Sequence, residues 1–299
     1  MPGGAVRMML SRHSAFYTPL LCTLGAGFLV REGIEGSLAT HPPAGRQARS
    51  LLTNGEVDIL QSSVGSSFVL LERGEQNLPV HFAQINQRDG FFLVGRKPDP
   101  SFHWKKLEGA ALVAEPAGQP LFMLKYCAHR NGVEWSGIHV IDAGHTPQLE
   151  AAFRSGTGDY VHEQGPEPQQ LEREGLGYVV ASVGEAMPPV CFSTLMASRS
   201  FLKTDAAKAF MRAYRKAREW ANQAPAAEIA CATIRFFPKY STEVLAEAIA
   251  RYQRVGCWDG DAGIPWEGFE QALEVFAFNG QITRRYAYHE VAVPPPDLM

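Results

Sequence analysis

The chain has 299 residues, 45% of them hydrophobic and 20% charged, with 28 Lys+Arg against 31 Asp+Glu for a formal charge of −3. This composition excludes a disordered, collagenous or coiled-coil protein, and the lack of a basic run or aromatic-interleaved basic stripe argues against a nucleic-acid partner. Five scattered cysteines, odd in number and never in a CxxC pair, indicate neither a disulfide framework nor a zinc knuckle.

Short apolar runs alternate with helical periodicity from the start. Val6 to Leu10 reads as a strand, Pro19 to Glu32 as a helix, Ser37 to His41 as a strand, Gly45 to Thr53 as a helix, Asp58 to Gln61 as a strand and Ser63 to Gly74 as a helix. Pro79 to Gln87 and Phe91 to Gly95 are strand-like, and Arg96-Lys97-Pro98-Asp99-Pro100 breaks regular structure, which places a crossing between lobes there. The grammar then repeats. Strands are expected at Ala111 to Val113, Ile138 to Ile141, Tyr160 to His162 and Tyr178 to Ser182, with helices at Pro120 to Asn131, Pro147 to Ser155 (capped by Thr146) and Pro168 to Glu174. After Pro188-Pro189, Cys191 to Ala197 is a last strand, and helices opened by Thr204, Pro225, Ser241 and Pro265 close the chain.

Alternating strands and helices imply right-handed crossovers and mostly parallel sheets. The fold class expected is α/β, a two-lobe clamp with each lobe a mostly parallel sheet flanked by helices and a helical C-terminal segment. Lobe 1 spans residues 1–95 plus 191–299, where the helical segment packs back, and lobe 2 is inserted at 96–190.

No residue-level motif announces catalysis. Each of the three GxG pairs is followed by Val where a dinucleotide fingerprint needs Gly or Ala, there is no P-loop, and Ser182 lacks the first Gly of a nucleophile elbow. His139, Asp142 and His145 straddle a strand end and a turn rather than one helix face, so no metal is expected, nor any cofactor. What remains is position. Ligands of open α/β sheets bind beyond the carboxyl ends of strands, where helix N-termini offer unpaired amides. That rule selects Ser11 to Ser14, Ser62-Ser63, Glu115 to Gln119 and His162 to Gly165 as four polar clusters facing one cleft.

Several stretches resemble the type II solute-binding proteins of ABC importers, in the branch of nitrate, sulfonate and taurine binders and thiamine-pyrimidine-precursor binders. They are Phe28 to Ile34, Leu51 to Ile59, Leu107-Glu108-Gly109, Phe153 to Tyr160 and Leu195 to Ser198, and they cover most of residues 6 to 200 in order. The resemblance implies a clamp that closes on a small solute and delivers it to a permease. Ligand contacts are expected from His13, Phe16, Ser62, Ser63, Gln119, Tyr160, His162 and Glu163: Phe16 and Tyr160 flanking the solute, the others hydrogen-bonding it. Arg12, His13, Ser62 and Ser63 suit an oxyanion and Glu163 an amino-pyrimidine or cationic group, with an aromatic heterocycle or aromatic acid slightly favoured. Relatives of this fold also act as enzymes, and the alternative is a cytoplasmic enzyme with His13 or His162 as acid/base and Glu163 as its partner. Pro19 interrupts the one stretch shaped like a signal peptide, Arg12 to Val30. As written the chain is expected to be cytoplasmic, or periplasmic if its start is misassigned or a signal was removed, with no membrane insertion.

Overall fold

A computed structural model describes residues 4–298. In chain order it builds β1 (Ala5–Met9), α1 (Thr18–Gly25), α2 (Phe28–Arg31), β2 (Glu35–Ala39), α3 (Ala48–Thr53), β3 (Ile59–Ser62), α4 (Val64–Glu72) and β4 (Val80–Asn86). There follow β5 (Phe91–Gly95), β6 (Ala111–Ala114), α5 (Gln119–Arg130), β7 (His139–Asp142), α6 (Thr146–Arg154), β8 (Tyr160–Gln164), α7 (Glu167–Glu174), β9 (Tyr178–Ser182) and α8 (Val183–Ala186). Last come β10 (Ser193–Ala197), α9 (Asp205–Gln223), α10 (Ala226–Thr233), α11 (Thr242–Val255), α12 (Trp266–Phe278) and α13 (Tyr288–Val291).

The strands form two five-stranded sheets, ordered β2-β1-β3-β10-β4 and β7-β6-β8-β5-β9. The pairs β1/β2, β1/β3, β6/β7 and β6/β8 are parallel, as their helical crossovers require. The sheets are nonetheless mixed. The first strand laid down after each crossing, β5 on the way out and β10 on the way back, runs antiparallel to both of its neighbours.

The crossings lie between β4 and β5, at residues 87–90, and between β9 and β10, at 183–192. This corrects the expected first crossing at 96–100: β5 belongs to the second sheet, because its apolar residues find pairing partners in β8 and β9. The C-terminal helices also do more than pack back on the first sheet. α9 lies against α1, but α11 packs on α7 and α12 contacts both α4 and α5, so the segment braces both halves.

Local chemistry accounts for most boundaries. Ser63, Thr204 and Ser241 each accept a hydrogen bond from the backbone N–H three residues on, capping α4, α9 and α11. The predicted helix 19–32 is instead split into α1 and α2, because Gly27 takes the left-handed conformation (φ 73°) that ends one helix and starts the next. Thr146 does not cap α6. It is the first helical residue, preceded by His145, and its hydroxyl lies 3.5 Å from Glu115 Oε1.

The two crossings are packed on each other. Arg88 Nη1 donates to Gly184 O at 2.9 Å, and a Cβ on Gly184 would lie 2.2 Å from the Asp89 carbonyl oxygen. Gly184→Ala therefore forces the crossings apart and is expected to cost about 1–3 kcal/mol, as overpacking does. Urea denaturation at neutral pH checks this, and a midpoint equal to that of the wild type would refute the close packing.

Candidate functional site

In an open α/β sheet the space beyond the carboxyl ends of the strands is where loops and helix starts converge. Here the segments after β1 and β3 of one sheet meet those after β6 and β8 of the other around a cleft of about 890 Å³. Its walls include Tyr17, Gln61, Ser62, Ser63, Phe91, Gln119, Gln164, Phe192 and Ser193. A second compartment of about 610 Å³ shares Ser11 and Arg12 with the first and is lined by His13, His41, His145, Glu150, Phe237 and Tyr240. An ion pair crosses the cleft from Arg12, after β1, to Glu115, after β6.

Ser62, Ser63 and Gln119 line the main compartment, as expected from the sequence. Ser63 caps α4 and Ser62 Oγ lies 3.0 Å from Ser66 Oγ, so hydroxyls cluster at that helix start. Gln119 Nε2 donates to Phe192 O at 2.7 Å, which holds the α5 start against the second crossing. His13 lies in the other compartment, stacked 4.6 Å from Phe237, its pKa lowered to about 4 by burial, by His41 and by Lys239.

Four expected contacts fall elsewhere. Phe16 is fully buried among Tyr17, Phe192 and Tyr252, with its carbonyl accepting from Asn86 Nδ2 and Trp258 Nε1, and so is core rather than a flank for a solute. Tyr160 begins β8, at the end remote from the cleft, and packs on Phe102 with centroids 5.9 Å apart. His162 is buried behind Phe91, its ring stacked 4.3 Å away, with neither nitrogen hydrogen-bonded. Burial, then the Arg12 charge, lowers its pKa to about 3. Glu163 is buried beside Glu150, Glu167 and Tyr240, and accepts only from the Gln164 amide. Burial raises it to about 8 against the opposing pull of Arg12.

Successive side chains of a strand point to opposite sides. His162 and Glu163, adjacent in β8, are thereby turned away from each other and form no acid/base pair. The same alternation carries Gln164 into the main compartment. The strand was predicted to end at His162, two residues early, which hid this. Gln164 is 4% exposed and neither amide atom has a hydrogen-bond partner, although the Tyr17 hydroxyl lies close by. Gln61 was equally readable, as a polar residue inside the apolar run Ile59-Leu60. Its Oε1 accepts from the Ser11 amide and hydroxyl at 3.0 and 2.7 Å. Phe91, Phe192 and Ser193 gave no signal, because their approach to the cleft depends on where the crossings fall.

The family model described as NMT1/THI5 like matches residues 15–228, which takes in the cleft-lining segments after β3, β6 and β8 and begins after Ser11 and Arg12. The chain belongs to this NMT1/THI5-like family. It is 29% identical over 283 residues, 93% of this chain and 84% of the relative, to YtlA of Bacillus subtilis (strain 168), whose name proposes a binding protein. Two solved structures share the fold. The ligand-binding component of an ABC-type import system from Staphylococcus aureus, solved with zinc bound, superposes with TM-score 0.75 at 15% identity, covering 99% of this chain and 98% of that one. The periplasmic aliphatic sulphonate binding protein SsuA from Escherichia coli gives TM-score 0.74 at 13% identity, covering 98% of each chain. Among the described residues of this NMT1/THI5-like chain, no group of three or more His, Cys, Asp or Glu could hold a metal ion, and no helix is long and apolar enough to cross a membrane.

Two buried carboxyls make the fold sensitive to alkaline pH. Asp89, in the first crossing, and Glu163 both stand at about 8 through burial, and Asp89 Oδ1 accepts from the Phe91 amide. A carboxyl raised on folding contributes stability that is complete below its unfolded pKa, near 4, and is lost as pH rises through the folded value. The depressed histidines, His13 at about 4 and His81 and His162 at about 3, exert their opposite effect only below the unfolded histidine pKa, near 6.5. Between pH 6.5 and 8 stability should therefore fall, by at most about 1.4 kcal/mol per pH unit for each carboxyl. Asp89→Asn keeps the acceptor for Phe91 and should flatten the slope. Urea midpoints at pH 6.5 and 8.0 test this, and an identical slope in the variant would exclude Asp89 as a source.

Proposed function

We propose that the chain is the solute-binding component of an ABC-type importer, and that its solute is a small, flat heterocyclic or aromatic compound bound in the main compartment. One observation carries the ligand class: the Gln164 side-chain amide, buried at the cleft wall with the Tyr17 hydroxyl beside it and no other partner. An amide in that state costs stability unless something complementary meets it. A ring bearing adjacent donor and acceptor groups is such a partner. Tyr17, Phe91 and Phe192 supply aromatic faces, and the hydroxyls of Ser62, Ser63 and Ser66 at the start of α4 supply donors for an electronegative substituent.

Membership of the NMT1/THI5-like family and likeness to binding components of importers support the transport role. In this reading, residues 4–86 and 193–298 form one lobe, residues 91–182 the other, and the crossings at 87–90 and 183–192 the hinge. A permease is the implied protein partner. Such a role places the chain outside the cytoplasm, where an importer meets its solute.

A thermal-shift screen against cytosine, uracil, nicotinamide, aliphatic sulfonates and nitrate tests the class. A ligand at 100 times its Kd adds ~2.7 kcal/mol, which is about 5–10 °C in Tm for a chain of this size. The expected outcome is a shift with a neutral ring, with the compound recovered unchanged. A shift with sulfonates or nitrate alone would replace the ligand class, and conversion of the compound would replace binding by catalysis. Gln164→Leu should weaken binding of the responding ring by about 10- to 100-fold while leaving the urea midpoint equal or higher, since an unpaired amide is removed.

A further inference from the structure

The guanidinium nearest the depth of the cleft is already neutralised. Arg12 leaves the end of β1 and Glu115 the end of β6, so their ion pair joins the two sheets. The Glu115 side chain is 6% exposed and that of Arg12 23%. Arg12 also stands over the buried Phe91 ring, 5.4 Å from its centroid, and so lies at the aromatic part of the cleft wall. The other cations on the wall are Arg49, which is paired with Glu75, and Arg73, which is exposed at the far end of α4. Glu163 is the other carboxyl that feels Arg12, but it accepts a hydrogen bond from the backbone N–H of Gln164. At depth, a ligand thus meets amides, hydroxyls and aromatic faces with no net charge.

We infer that Glu115 is the charge-selecting residue of the cleft. By engaging Arg12 it makes the site favour a neutral ring over the anionic counterpart of the same shape. A carboxylate or sulfonate entering beside Arg12 would face the buried Glu115 charge at short range and have to share one guanidinium with it. With the Glu115 charge gone, the Arg12 fork becomes a free two-pronged donor, the geometry that recognises such anions. This inference rests on the ligand-binding reading above.

Nicotinamide and nicotinate separate the two ideas, because they share a ring and differ in charge. Isothermal titration of the full chain should give a nicotinamide preference of about tenfold or more in the wild type, and Glu115→Gln should move the ratio at least about thirtyfold toward nicotinate. Arg12→Ala combined with Glu115→Gln should abolish that move. Glu115→Asp, which keeps the charge, should retain the wild-type preference. Arg12→Ala alone leaves the carboxylate without its partner and should move the ratio the other way, which keeps the inference testable if Glu115→Gln does not fold. An unchanged ratio in both single variants overturns it. If the wild type binds neither compound, nicotinamide is excluded as the neutral ring while the wider class stands or falls on the screen; nicotinate binding that appears only in Glu115→Gln would still support the role of Glu115, and no binding of either compound in either protein would overturn that role for this ring.

Discussion

The carbonyl oxygen of Gly165 accepts from the Ala15 amide at 3.0 Å and from the Ser14 hydroxyl at 2.8 Å, while the Gly165 amide donates to the Tyr252 hydroxyl at 2.6 Å. Tyr252 in turn donates to Gly90 O at 3.1 Å. Four distant pieces of chain meet there: the segment after β1, the end of β8, the first crossing and helix α11. Space is tight here, since a Cβ would sit 2.9 Å from Gln169 Oε1, 3.0 Å from the Tyr252 hydroxyl and 3.2 Å from Ala248 Cβ. The residue before Gly165 is Gln164 and the residues after Ala15 include Tyr17. The peptide that ties the sheets together thus also sets the amide and the ring of the cleft against each other.

This arrangement concentrates stability away from the site and leaves polar groups unsatisfied within it. One continuous apolar cluster extends from α1 through the second crossing to α12, with Phe16, Phe92, Tyr252 and Trp258 among its members. Some buried polar side chains are paired, as where His81 lies between Ser67 Oγ at 2.9 Å and Thr194 Oγ1 at 2.6 Å, whereas the Gln169 amide and both His162 nitrogens are as unpartnered as the Gln164 amide. An unpaired buried amide is tolerated when the rest of the structure is stable enough to hold it, and functional sites are where that cost is commonly found.

The order of elements was legible from the sequence because periodicity, proline and capping residues are local signals. Thr204 and Ser241 cap the helices they were expected to open, Thr146 does not, and the segments after β1, β3, β6 and β8 meet at the cleft. What was not legible depends on tertiary geometry. The crossing was placed at the most obvious chain breaker, Arg96 to Pro100, whereas it lies in the four residues Gln87 to Gly90, where Asp89 is buried and Gly90 makes room for the Phe16 ring. Gly27, read as part of a helix, needed the positive φ that divides it. Phe16 and Tyr17 are neighbours of the same type, and only packing decides that one is core and the other wall.

Beside Phe16, Ser62, Ser63, Gln119 and Tyr160, the sequence reading gave a share of recognition to ionisable groups, Arg12, His13, His162 and Glu163, because charge after a strand end is the visible mark of a site. In the folded chain each of these is spent before a ligand could use it. Arg12 is held by Glu115, His13 is stacked on Phe237 in the flanking compartment, and His162 is kept neutral behind Phe91. Glu163 is turned toward two other carboxyls and raised to about 8. A charge desolvated at a cleft must be paired or neutralised. The groups left to face a solute are those that survive burial without a counterion: the amides of Gln61, Gln119 and Gln164, the serine hydroxyls and the aromatic faces. The polar chemistry of the cleft wall follows from that elimination.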